Sequence, residues 1–105
     1  MREETKNWLD LADSDFDASL YLLDGARYPQ AVYLLCQAVE KILKAALIEF
    51  ANQPPKKTHH LKHLASQTGL PFSTEQAQII RALDRDYQRV RYRDMAQASY
   101  NTRAC

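Results

Sequence analysis

Gln30–Phe50 reads QAVYLLCQAVEKILKAALIEF. The run is apolar nearly throughout, yet Gln37, Glu40, Lys41 and Lys44 stand in its middle. Residues three and four apart are neighbours on a helix, so these four share one face, with Tyr33 a turn earlier. Val32, Leu34, Leu35, Cys36, Val39, Ile42, Leu43 and Leu47 cover most of the remaining circumference. The polar residues are therefore expected to form the one wet stripe of an otherwise covered helix. In that reading Glu40 and Lys44 make an i,i+4 pair contributing about 0.3–0.5 kcal/mol. A small protein has much surface for its volume and rarely encloses a helix so completely. Self-association, as a homodimer, is expected to supply the extra cover.

Upstream, Trp8, Leu9, Ala12, Phe16, Leu20 and Leu23 recur at helical spacing between about Glu3 and Asp24, with aspartates mostly on the other face. Gly25 is a C-terminal stop, and Pro29 suits the first turn of the next helix. So short a link favours antiparallel neighbours. Downstream, Pro54-Pro55 ends the second helix, and Lys56-Lys57 belongs to a loop. Thr58 is expected to cap a short third helix carrying Leu61, Leu64 and Ala65, which Gly69 ends. Ser73 and Gln76 form a capping box for a fourth helix, whose buried stripe is Ala77, Ile80, Leu83, Tyr87 and Val90. The tail from Asp94 is expected to add a short fifth helix with Met95 and Ala98 inward.

With 105 residues the chain has room for one domain, 1–105. Two glycines and four prolines offer too few turns for a small barrel or sandwich. No run reaches the roughly 18 apolar residues of a membrane span, and MREETKNW lacks the apolar core of a signal peptide. Cys36 reads as a small core residue and Cys105 as a mobile terminal one, which fits a reducing, cytoplasmic setting. The net charge of +1 implies no general attraction to polyanions. It is unevenly spread, however: residues 1–24 carry −5 and the remainder +6.

The basic excess concentrates between residues 81 and 93, where Arg81, Arg85, Arg89, Arg91 and Arg93 face only Asp84 and Asp86. Guanidinium groups clamp phosphate oxygens, and Tyr92 is placed to stack on a base. The competing reading is a solvated face paired with the acidic first helix. His59 and His63 have the i,i+4 spacing of a two-histidine metal site, but no local Glu or Cys completes it, so neither metal nor cofactor is expected. There is no Gly-rich phosphate loop, and Cys36 has no histidine near it in sequence.

Ala31-Val32-Tyr33, Gln37-Ala38-Val39-Glu40-Lys41 and Leu43-Lys44-Ala45 together resemble the signature of the HEPN domains (higher eukaryotes and prokaryotes nucleotide-binding). In particular the sequence looks like the branch of small prokaryotic HEPN proteins once described as DNA-binding. Thr58-His59-x-Leu61-x-x-Leu64 resembles that branch's third helix. Asp86-Tyr87-x-x-x-Arg91-Tyr92-x-Asp94 resembles the end of its fourth, with Arg93 at the usual proline. The resemblance implies an all-α, up-and-down bundle of four to five helices, commonly dimeric. It also implies pairing with a minimal nucleotidyltransferase in a toxin–antitoxin-like system. Many members are metal-independent ribonucleases using Arg-x4–6-His, a motif this sequence lacks. The leading expectation is a non-catalytic module that binds nucleotide or nucleic-acid phosphate. Arg85, Arg89, Arg91, Tyr92 and Arg93 are its expected contacts, with Glu40 and Lys44 completing the set. The alternatives are a degenerate ribonuclease using Arg91, Glu40 and Tyr92, or a ligand-free helical adaptor.

Overall fold

The computed structural model describes residues 1–54 and 58–104, with side chains as far as Arg91. It contains four helices: α1 (Glu3–Asp24), α2 (Tyr28–Phe50), α3 (Leu61–Thr68) and α4 (Thr74–Ala104). No strand occurs among the described residues. The expected fifth helix is absent, because α4 continues unbroken through Asp94 to Ala104. No glycine or proline lies in that stretch to stop it. Whether Met95 and Ala98 turn inward lies outside the described side chains, as do Tyr92 and Arg93.

Helix α2 is the spine. Among the described residues the close backbone contacts of α1 are with α2, while α3 and α4 pack against α2 and against each other. Two different interfaces result. On the α3/α4 side, Cys36, Leu43 and Leu47 meet Leu61, Leu64, Ala65 and Tyr87 in an apolar core. On the α1 side the buried residues are small: Thr5, Ala12 and Ser19 from α1, and Ala31, Ala38 and Ala45 among those of α2. Each set recurs every seven residues, the period of a coiled-coil seam. Small residues at such a seam let two helix axes approach closely, since their separation depends on the side chains between them.

That close approach corrects the expected inner face of α1. Trp8, Leu9 and Ala12 do turn inward, but Phe16, Leu20 and Leu23 are about half exposed. They flank the small-residue seam rather than fill it. The α1–α2 pair is also tied at one end, where Arg2 donates from its backbone N to Glu49 Oε1 (3.1 Å) and from Nη1 to the Ile48 carbonyl (3.0 Å). Arg2 thereby satisfies a carbonyl in the last turn of α2.

The turns follow sequence chemistry with two exceptions. The Ser73–Gln76 capping box forms reciprocally, with both bonds at 3.0 Å. Gly69 takes the left-handed cap of α3 at φ 72°. Gly25, however, sits at φ −87°, and Ala26 adopts the left-handed conformation instead, at φ 59°. Thr58 does not cap α3. Its hydroxyl accepts from the His60 backbone N, while the α3 N-terminus is capped from α4: Leu61 N donates to Asp84 Oδ1 at 3.0 Å, and Lys62 N makes a longer bond to Oδ2. A carboxylate there also complements the helix dipole.

Asp84→Ala should therefore destabilise the protein by about 1–2 kcal/mol, the cost of losing a helix cap, read as a shifted urea midpoint. Gly25→Ala should be neutral or slightly stabilising, because its φ suits alanine and the added Cβ meets only carbonyl oxygens at 3.7 and 3.8 Å.

Candidate functional site

The polar stripe of α2 is not its wet face. Glu40 and Lys44 are each only 7% exposed. Viewed down α2, the stripe lies between the face covered by α1 and the face covered by α3 and α4, in the seam where the two halves meet. Lys41 pairs with Asp15 of α1. Lys44 Nζ lies 5.5 Å from the ring centroid of Trp8, also on α1. On the other flank, Glu40 turns towards α4 and the segment leading into α3.

Three donors converge on Glu40. Its Oε1 accepts from the Tyr87 hydroxyl at 2.7 Å and bonds His59 Nδ1 at 2.9 Å, while its Oε2 accepts from Lys44 Nζ at 2.8 Å. Burial pushes the Glu40 carboxyl towards its neutral form. The hydrogen bonds from Lys44, His59 and Tyr87 outweigh that and hold the pKa below the ordinary carboxylate range. Tyr87 shifts the other way: burial first, then its bond to the Glu40 carboxylate, keep the phenol protonated well past its ordinary range. The Tyr33 ring packs edge-on against Tyr87 at 5.7 Å, so the phenol is fixed on both sides.

His59 is held at both ends. Gln88 Nε2 donates to its carbonyl at 2.8 Å, and its ring meets Tyr87 edge-on at 6.4 Å. The sequence pairs His59 with His63, but the fold separates their roles. His63 Nε2 bonds Gln67 at 3.0 Å on α3, whereas His59 turns into the seam. Among the described residues, no group of three or more His, Cys, Asp or Glu side chains is arranged to hold a metal ion. Cys36 is fully buried and donates from Sγ to the Leu83 carbonyl; burial, with Asp86 and Asp84, pushes its thiol up to about 12. It is an inert core residue, as its apolar face implies.

The α4 arginines divide into two groups. Arg81, Arg85 and Arg89 are exposed. Arg91 turns inward and lies 5.5 Å from the centroid of Tyr87, next to the Glu40 network. None of the four pairs with a carboxylate among the described residues. No ion pair of the kind the competing reading expects joins these arginines to α1 among the described residues. Sequence reasoning missed His59 and Tyr87 as partners of Glu40. The only signal was the run Tyr87-x-x-x-Arg91, which carries no information about a histidine 28 residues earlier.

A family model described as HEPN domain matches residues 5–104. No match is found among curated proteins or among solved structures.

The network makes a pH prediction. The folded-state pKa of Glu40 is depressed, so its contribution to stability is complete above the unfolded carboxyl pKa and is lost as pH falls through the folded value. Unfolding free energy should drop as pH falls below about 4.5. Glu40→Gln should flatten that acid limb, while costing roughly 3 kcal/mol at pH 7 by leaving Lys44 buried without its partner. Denaturant melts between pH 3 and 7 measure both effects.

Proposed function

The chain belongs to the HEPN domain family, and from that premise we propose that it is a non-catalytic module that binds nucleotide or nucleic-acid phosphate through α4. The carrying observation is that Arg81, Arg85, Arg89 and Arg91 have no carboxylate partner among the described residues, on α1 or elsewhere. Exposed guanidinium groups spaced by four suit a phosphate backbone better than a single small anion. Tyr92 and Arg93 follow directly in the chain and extend the proposed surface.

Binding of a labelled single strand should weaken steeply with salt, at a log–log slope near −0.7 per phosphate contact. The triple variant Arg81→Ala, Arg85→Ala, Arg89→Ala should lose affinity and flatten the slope by roughly 2. Lys6→Ala, on exposed α1, is the control; Arg2 is unsuitable because it ties α1 to α2. An unchanged slope in the triple variant rejects this surface. Cleavage of the strand, abolished by His59→Gln, would replace the reading with the ribonuclease alternative, for which the Glu40–His59 pair would supply a general base.

The same proposal includes assembly. Val32, Leu35, Val39 and Ile42 run along the α2 flank opposite the polar seam. They continue an apolar surface from Phe16, Leu20 and Leu23 on one side to Ile79 and Ile80 on the other. Ile42 and Ile79 are 47% and 52% exposed. We assign this surface to a second copy of the chain, or to a minimal nucleotidyltransferase partner where one is present. Light scattering at micromolar concentration should give a dimer, and Ile42→Glu with Ile79→Glu should give a folded monomer. A wild-type monomer counts against self-association.

A further inference from the structure

A single heptad register allots the apolar faces of α2. Val32, Val39 and Ala46 fall at position a, and Leu35 and Ile42 at position d. The g residues of that register are Ala31, Ala38 and Ala45, which α1 covers, and the e residues Cys36 and Leu43 lie in the core with α3 and α4. The a/d stripe is left part-open, since none of its five residues is buried. β-Branched residues at a with leucine at d favour two strands in a parallel coil. The two sides of the stripe differ in charge. On α1, turning from Ala12 past Phe16 and Leu20 leads to Asp13 and Asp17. The opposite turn leads to Trp8 and Asp15, which meet Lys44 and Lys41. On α4, turning from Leu83 past Ile79 and Asp86 leads to Arg89 and then Arg85. The opposite turn leads to Asp84 and Gln88, which hold the segment entering α3. Asp13, Asp17, Arg85 and Arg89 are exposed, and none makes an ion pair among the described residues. They also share a height. Helices α1 and α4 both run antiparallel to α2. Arg2 at Ile48 and Asp15 at Lys41 set the level of α1, and Leu83 at Cys36 and Tyr87 at Tyr33 set that of α4. Both charged pairs therefore stand beside the N-terminal half of α2.

In a parallel helix pair g faces the partner's e, whereas in an antiparallel pair g faces g. Because α1 covers g and the α3/α4 half covers e, a parallel pair lays α1 over the α4 of the second copy. An antiparallel pair lays α1 on α1, aspartates against aspartates. We propose that two copies pair through α2 in parallel, about a two-fold axis running along that helix, with Asp13 and Asp17 of each seated against Arg85 and Arg89 of the other. This rests on the assembly reading above and commits it to a second copy and to one symmetry. The acidic rim of α1 then occupies the guanidinium groups that a phosphate backbone uses, so assembly and polyanion binding oppose one another.

Disulfide trapping reads the symmetry without touching a charge. In a Cys105→Ser background, Leu35→Cys and Ile42→Cys should each cross-link to its own copy under mild oxidation, because d residues oppose each other in a parallel pair. An antiparallel pair brings at most one of them opposite itself: they lie about 10 Å apart along α2, and bridged Cα atoms come within about 7 Å. Ala18→Cys, exposed on the far side of α1, is the control and should not cross-link. Charge reversal, followed by light scattering, gives the second readout. Asp13→Arg with Asp17→Arg, or Arg85→Asp with Arg89→Asp, should each weaken the dimer roughly tenfold, and an equimolar mixture of the two variants should restore a mixed dimer. A saturating single strand should shift the wild-type protein towards monomer. A monomeric wild type rejects the assembly reading and this pairing together. A dimer that cross-links only when Leu35→Cys is mixed with Ile42→Cys, that cross-links through neither, or that ignores both reversals overturns the parallel pairing and leaves a dimer standing. A strand bound to an undissociated dimer overturns the seating of α1 on the ridge. A strand that fails to bind removes the phosphate reading alone, and the disulfides still decide the pairing.

Discussion

Three hydrogen-bond donors from three parts of the chain meet at one carboxylate, and the arrangement of the α3/α4 half follows from that requirement. A charge as buried as Glu40 is tolerated only when it is paired and its lone pairs are filled. Lys44 comes from the same helix, but Tyr87 and His59 must be brought to it. Tyr87 fixes the height of α4 against α2. His59 fixes the segment entering α3, and Gln88 and Asp84 then fasten that segment back to α4. Apolar contacts among Cys36, Leu43, Leu47, Leu61 and Leu64 supply most of the burial. They are non-directional and leave the relative height of the helices less constrained than the carboxylate does.

The two flanks of α2 reverse the usual assignment of polar to outside and apolar to inside. The flank with Gln37, Glu40, Lys41 and Lys44 closes a seam between α1 and the α3/α4 half. The flank with Val32, Leu35, Val39 and Ile42 is left partly open. That open apolar flank, continuous with exposed residues on two other helices, is the surface the proposed dimer would cover. The buried polar flank specifies which way round the three neighbours of α2 must sit.

The helices themselves were legible in the sequence because period, caps and stops agree locally. The Ser73–Gln76 box and Gly69 needed nothing beyond neighbouring residues, and the structure shows both in place. The heptad of Thr5, Ala12 and Ser19 against Ala31, Ala38 and Ala45 was present in the sequence but hidden, because a search for the inner face of α1 weights large residues. Phe16, Leu20 and Leu23 dominate that search, yet a close helix pair excludes them. The solvation of Glu40 and Lys44 was misread for a related reason: one helix wheel gives the angle of a side chain but not the identity of the neighbour at that angle. His59 was beyond reach, since its contact with Glu40 spans 19 residues and a loop. Asp84 as a cap for a helix more than 20 residues upstream was equally a tertiary fact.

Because the close backbone contacts of α1 among the described residues are with α2, the chain divides into a hairpin made of sequence neighbours and a second half whose key contacts are long-range. Contacts close in sequence have a small loop-closure cost and form early. The Thr5–Ala45 seam can therefore zip before α4 exists as a partner, presenting Glu40 and Lys44 paired to each other and bordered by Trp8. The later arrival of Tyr87 and His59 completes a polar site that the hairpin has already oriented. In kinetic terms the carboxylate acts as a checkpoint: an α4 docked one turn out of register would leave it short of a donor, and that mismatch returns the chain to the search.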